Sequence, residues 1–129
     1  MNAMNALETA VLHKLLEGDL PPLVRLREQC SHVSVRNREF TGVGFFTDFD
    51  HPPGVVRLES PSRAVFGDVI ADIDGLEYGA GFLLIIESGV ISVLEGYSYG
   101  ETWPESIGRF SLRYSPPGRN LLPLLETGG

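Results

Sequence analysis

The chain predicts an α+β fold, with an N-terminal helical hairpin packed on a mainly antiparallel sheet of about 5–6 strands. Three observations carry this. Two segments with helical spacing come before residue 31, strand-patterned runs then follow one another to residue 114, and no helix-length segment lies between those runs. Parallel pairing would need such crossover helices, so the strands pair antiparallel. The clearest element is the stretch from Gly81 to Gly100, where two apolar, β-branched runs flank Ser88-Gly89. A two-residue turn between such runs is a hairpin signal.

Taken in order, Leu7, Ala10, Val11, Lys14 and Leu15 recur at helical spacing, with Leu12 and Leu16 widening the stripe. Gly18 stops this helix, and Asp19 is placed to cap the next, with Pro21 and Pro22 in its first turn. That second helix presents Leu23, Leu26 and Cys30 on one face and Arg25, Arg27 and Glu28 toward water. Val33 and Val35 alternate with polar neighbours as a short strand. Thr41 to Phe49 follows, with Val43, Phe45, Thr47 and Phe49 on one face and Gly44, Phe46 and Asp48 on the other. Asp50-His51-Pro52-Pro53-Gly54 is a loop, Val55 to Leu58 a weaker strand, and Ala64 to Ile73 a strand ended by Asp74-Gly75. Arg109 to Tyr114 alternates as a closing strand that Ser115-Pro116-Pro117-Gly118 terminates. The chain thus divides into one α+β domain, 1–115, and a leucine-bearing C-terminal tail, 116–129, suited to dock on the body or on a second subunit.

Composition narrows the function classes. At 129 residues the chain suffices for one domain with a real core. Its net charge of −7 opposes binding to nucleic acid, whose phosphates reward Lys and Arg, and would steer a basic partner to the surface. The single cysteine, Cys30, excludes an internal disulfide and a Cys-rich zinc site. Met1 to Glu17 carries no basic segment ahead of an apolar one, and no apolar run approaches the roughly 20 residues that span a bilayer. A cytoplasmic, non-membrane protein is the expectation. The sequence offers no P-loop, dinucleotide-binding glycine pattern or Ser-His-Asp arrangement. Asp72-Ile73-Asp74-Gly75 lacks the later ligands of a calcium loop, and Asp48, Asp50 and His51 lack a completing ligand. Neither a metal nor a cofactor is called for.

The candidate site lies after the hairpin turn. Pairing through Ser88-Gly89 without interruption sets Ile86 opposite Ile91, Leu84 opposite Val93 and Phe82 opposite Glu95. Glu95 then shares a face with Phe82, Leu84, Ile86, Ile91 and Val93. A carboxylate there has a raised pKa, meets an arginine such as Arg109 or Arg113, or sits where the face ends at solvent. Tyr97, Tyr99, Glu101, Trp103 and Glu105 follow in a glycine-punctuated stretch. Aromatic rings beside carboxylates suit a protein interface, and equally the lid of a core. Read as chemistry, Glu95 with Glu101 or Glu105 would supply the acid and base of a small carboxylate-based hydrolase, or line a sugar-binding groove.

Thr41-Gly42-Val43-Gly44-Phe45-Phe46, the hairpin with Leu94-Glu95-Gly96-Tyr97, and Trp103-Pro104 together resemble a family of small uncharacterised bacterial proteins. In that family an apolar hairpin runs into Leu-Glu-Gly-Tyr and Trp-Pro, and its members resemble immunity proteins of bacterial toxin systems. The resemblance implies a non-enzymatic interaction module that covers a toxin, and it supplies no catalytic residues. The acidic charge makes a basic protein the expected partner, with a homodimer through the tail or an exposed strand edge as the alternative. Glu95, Tyr97, Tyr99, Glu101, Trp103 and Glu105 are the residues expected to hold it.

Overall fold

In the computed structural model, which describes residues 3–125, Asn5 opens the first helix, α1 (Ala6–Leu15). Its side chain accepts from the Glu8 N–H while the Glu8 carboxylate accepts from the Asn5 N–H, both at 2.9 Å. This reciprocal cap satisfies two amides that a helix start otherwise leaves unpaired. The second helix, α2 (Pro21–Cys30), is capped differently from the expectation. Leu20 is its N-cap and no side chain caps it, so Asp19 does not. Pro21 and Pro22 bring no N–H to the first turn, which leaves fewer amides for Asp19 to satisfy.

Seven strands follow: β1 (Ser34–Phe40), β2 (Gly44–Asp50), β3 (Ala64–Phe66), β4 (Val69–Ile73), β5 (Ala80–Glu87), β6 (Val90–Ser98) and β7 (Phe110–Tyr114). They form one antiparallel sheet ordered β1-β2-β6-β5-β4-β7, with β3 also paired to β5. The α+β class and its antiparallel sheet are therefore as the sequence predicts, with one strand more than the expected range. The extra strand arises where Ala64 to Ile73 divides. At the break, Asp68 turns inward to 1% exposure, and β3 and β4 then pair with opposite ends of β5. Val55 to Leu58 is not a strand. Its backbone is satisfied outside any ladder, the Val56 carbonyl by the Gln29 side chain and the Leu58 N–H by the Gly89 carbonyl.

Both helices lie on one face of the sheet and close the core there. Leu12, Leu15, Leu16, Leu23 and Leu26 meet Phe82, Leu84, Ile86, Ile91 and Leu94, all fully buried or nearly so. Burial of each such side chain contributes about 1.5–3 kcal/mol. Gln29 ties the layers together. Its amide donates to the Val56 and Gly89 carbonyls at 3.0 and 2.9 Å, and its oxygen accepts from the Ile91 N–H at 3.0 Å. One α2 side chain thus fixes the hairpin end and the loop that passes beneath it. The short helix α3 (Leu122–Leu125) packs against β3, with Leu124 in the same core. The last four residues of the 116–129 tail, and the first two of the chain, lie outside the described residues. No helix among the described residues is long and apolar enough to cross a membrane.

Two bulges decide which side chains face which way. Ser88 and Gly89 both have positive φ, 51° and 74°, the geometry of a type I′ turn, and Glu87 and Ile86 pair with Val90 and Ile91 as the sequence predicts. One step further the register shifts: Ile85 pairs with Val93, Leu84 with Leu94, Leu83 with Glu95 and Phe82 with Gly96. Ser92 is the extra residue. A bulge reverses the alternation beyond it, so Leu94 points into the core and Glu95 to the opposite face. The expectation that Glu95 shares a face with Phe82, Leu84 and Ile86 is thereby corrected. A second bulge, at Arg36 between Val35 and Asn37, turns Arg38 to the helix side opposite Thr47.

Candidate functional site

The face of the sheet turned away from the helices holds most of the unusual surface. Antiparallel partners share a face, so the register defines rows across it. Glu39, Phe46, Glu95 and Leu83 form one row. Asn37, Asp48, Val93, Ile85 and Val65 form the next. Tyr97, between Gly44 and Gly81, leads a third that continues through Ile70 to Arg113. Phe46, Leu83, Ile85, Val93 and Ile70 are half-buried, each shielded by its neighbours in the pleat, and Val65 is 43% exposed. Among the described residues, Glu39, Asp48 and Glu95 have neither an ion pair nor a side-chain hydrogen bond. With strands spaced about 4.8 Å apart, Glu39 and Glu95 flank Phe46 at roughly 10 Å from each other. Cations stand at both margins, where Arg36 meets Asp50 and Arg113 meets Asp72, each at 3.7 Å.

Of the expected site residues, Glu95, Tyr97 and Tyr99 come together at this face. Gly81 makes the aromatic arrangement feasible: a Cβ there would lie 2.5 Å from the Tyr97 hydroxyl oxygen, so only glycine leaves room for the ring across the strand. The Tyr97 ring meets Tyr99 edge to face at 5.8 Å and 82°. Burial pushes the Tyr97 hydroxyl above its ordinary pKa of 10.0, and Tyr99 and the Glu95 charge push it further. Tyr97 therefore stays neutral and serves as a hydrogen-bonding, amphipathic ring. Tyr99 is 53% exposed.

Glu101, Trp103 and Glu105 go elsewhere. The two Glu101 carboxylate oxygens accept from the backbone N–H groups of Glu77 and Tyr78, both at 2.8 Å, fastening the turn after β4. Trp103 is 7% exposed; its ring packs on Phe45 at 5.4 Å and its backbone N–H donates to the Gly42 carbonyl. It closes one end of the core. Glu105 lines a separate cleft of about 380 Å³ between the start of α1, the end of β1 and the 103–110 segment. That cleft takes in neither Glu95 nor Glu101. The carboxylates named for acid–base chemistry are thus divided between a sheet face, a turn and a cleft.

Two buried ion pairs position these surfaces. Glu8, with no exposure, accepts from Arg38 at 2.8 and 2.7 Å and from the Thr47 hydroxyl. Burial alone would raise the Glu8 carboxyl, but the hydrogen bonds from Arg38, Thr47 and the Asn5 amide outweigh it and hold the group below its ordinary 4.5. On the other side of the core, Asp68 accepts from Arg119 at 2.7 and 3.2 Å and from the Asn120 N–H at 3.3 Å. Arg119 also donates to the Leu15 and Glu17 carbonyls and lies 4.2 Å over the Tyr114 ring. Tyr114 is pushed up to about 12, first by burial and then by its hydrogen bond to Glu17, so it too stays neutral. Cys30 is half-buried on α2, and burial raises its thiol pKa, which opposes a reactive thiolate. No cluster of three or more His, Cys, Asp or Glu suited to a metal ion occurs among the described residues.

Glu95, Tyr97 and Tyr99 stand out in the sequence, but nothing local in it joins them to Glu39, Phe46 and Asp48. The alternation through Thr41 to Phe49 already separated Phe46 and Asp48 from Phe45. The missing signal was the bulge that brings Glu95 to their side. Comparison with protein-family models, with curated proteins and with solved structures finds no match for this chain.

Proposed function

We propose that this chain is a non-enzymatic interaction module that binds a basic protein on the open face of its sheet, an immunity-type protein that neutralises a toxin by covering it. One observation carries the reading. An apolar strip through Phe46, Val93 and Ile85 is bordered by Glu39, Asp48 and Glu95, three carboxylates that form no ion pair among the described residues. Apolar contact supplies affinity, while unneutralised charge of one sign selects a partner of the other and speeds its approach. Tyr97 and Tyr99 extend the strip with rings that lose little entropy on contact. The same charges disfavour a symmetric dimer through this face, because two copies would bring carboxylates against carboxylates.

The residues that would serve catalysis do not converge, and Glu101 is already engaged by two backbone amides. The test is charge reversal. With a partner purified from the native host, Glu39→Lys combined with Glu95→Lys should weaken association at least roughly tenfold, mainly through a slower on-rate, and wild-type binding should weaken with salt. Thermal stability should hardly change, because neither carboxylate has an internal partner. Undiminished binding by the double variant would remove the open face from consideration.

A further inference from the structure

The cleft beside Trp103 lies apart from the open sheet face, and its chemistry is different. Phe40, Phe45, Trp103 and Phe110 line it together with Arg38 and Glu105, and its volume of about 380 Å³ falls within the range of small-ligand sites. A second hollow of about 270 Å³ continues it over Gly42, again bordered by Phe40, Trp103 and Glu105. Phe40 is 64% exposed at the end of β1, so an aromatic ring is presented at the mouth and not used to fill the core. Arg38 brings a guanidinium to the lining, but its Nε and Nη2 are bound to the fully buried Glu8 carboxylate, and the pair is neutral. Among the described residues Glu105 has no ion pair or side-chain hydrogen bond. The one uncompensated charge on the cleft is therefore negative.

Aromatic rings attract cations through their quadrupoles, and a nearby carboxylate adds to the attraction. We propose that the cleft binds an organic cation of the quaternary-ammonium type, with Phe40 and Trp103 as aromatic walls and Glu105 as the counter-charge. An anion would meet Glu105 at the entrance and a chain of net charge −7 around it, and the one cation among the residues lining the cleft, Arg38, is already paired with Glu8. The site is independent of the open sheet face, so either proposal can fail without the other.

Titrating the isotope-labelled full-length chain with tetramethylammonium chloride, against sodium chloride and sodium benzoate at matched ionic strength, tests this. The expected result is a saturable shift of the Trp103 indole N–H and of the Phe40 and Phe110 amides with tetramethylammonium alone. Phe40→Leu keeps apolar bulk but removes the ring, and should weaken binding roughly threefold or more; Glu105→Gln should do the same. Both residues are exposed, so both variants should fold, and an unchanged amide spectrum elsewhere checks that. Comparing choline with a peptide carrying one trimethyllysine separates the two sources of the cation. Equal binding assigns a free small molecule, and tighter peptide binding assigns a side chain. Equivalent shifts with benzoate or sodium chloride, or unaltered binding by Phe40→Leu, would overturn the proposal.

Discussion

Arg38→Ala should lower stability by about 3–5 kcal/mol, a fall in Tm of about 10–20 °C for a domain of this size. The cause is the partner left behind. Glu8 has no exposure, and without Arg38 its carboxylate keeps only the Thr47 hydroxyl and the Asn5 amide. The pH dependence separates this from a simple loss of packing. In the native chain the Glu8 pKa lies below its ordinary 4.5, so its contribution is complete above that value and is lost as pH falls through the lower folded value. In the variant, burial dominates and the pKa is raised. The folded state then prefers a protonated Glu8, and the variant loses stability as pH rises through that raised value. The Tm difference between the two chains should accordingly narrow as the pH falls from above the variant's raised value toward the native chain's lowered one. Thermal melts at pH 3.5, 5 and 7 would read it, and a difference that stays constant would show that Glu8 is not the responsible group. Replacing both residues, as in Glu8→Leu with Arg38→Leu, should recover much of the loss, since a buried pair costs desolvation that apolar side chains avoid.

Arg119→Ala should have an effect of similar size, about 3–5 kcal/mol, because it strands Asp68 at 1% exposure. It also removes donors from the Leu15 and Glu17 carbonyls at the end of α1 and uncovers the Tyr114 ring. Those contacts hold the segment from Arg119 to Leu125 against the body. Chymotrypsin should therefore cut the variant among Leu121 to Leu125 well before it cuts the native chain. Arg119→Lys keeps the charge but not the two-pronged geometry, and should fall between the two. Equal protease resistance of native and Ala chains would mean that Leu124 alone holds the segment.

These two pairs also show where the sequence could be read and where it could not. The helices, the turn at Ser88-Gly89 and the alternation through Thr41 to Phe49 rest on neighbours within a few residues of each other, and each was legible. The Asn5–Glu8 cap is local to the first turn of α1, but Glu8 is buried by Arg38, 30 residues away, and only the bulge at Arg36 turns Arg38 toward it. No residue type marks that bulge, nor the one at Ser92. A single extra residue in a strand exchanges its faces, and so Glu95 moved from the predicted core side to the open side. Trp103 was legible as an important ring, but whether it would anchor a partner or close the core depended on Phe45, which the fold brings 5.4 Å away.

If the proposed reading holds, the open sheet face, and not the helical face, meets the partner. Placing a photo-crosslinking residue at Val93, on that face, and separately at Val24, 37% exposed on α2, tests it inside the native host. A basic protein should crosslink from position 93 and not from position 24, with the adduct reduced by Glu39→Lys and Glu95→Lys. A partner captured from position 24 and not from 93, or one that is acidic, would contradict it.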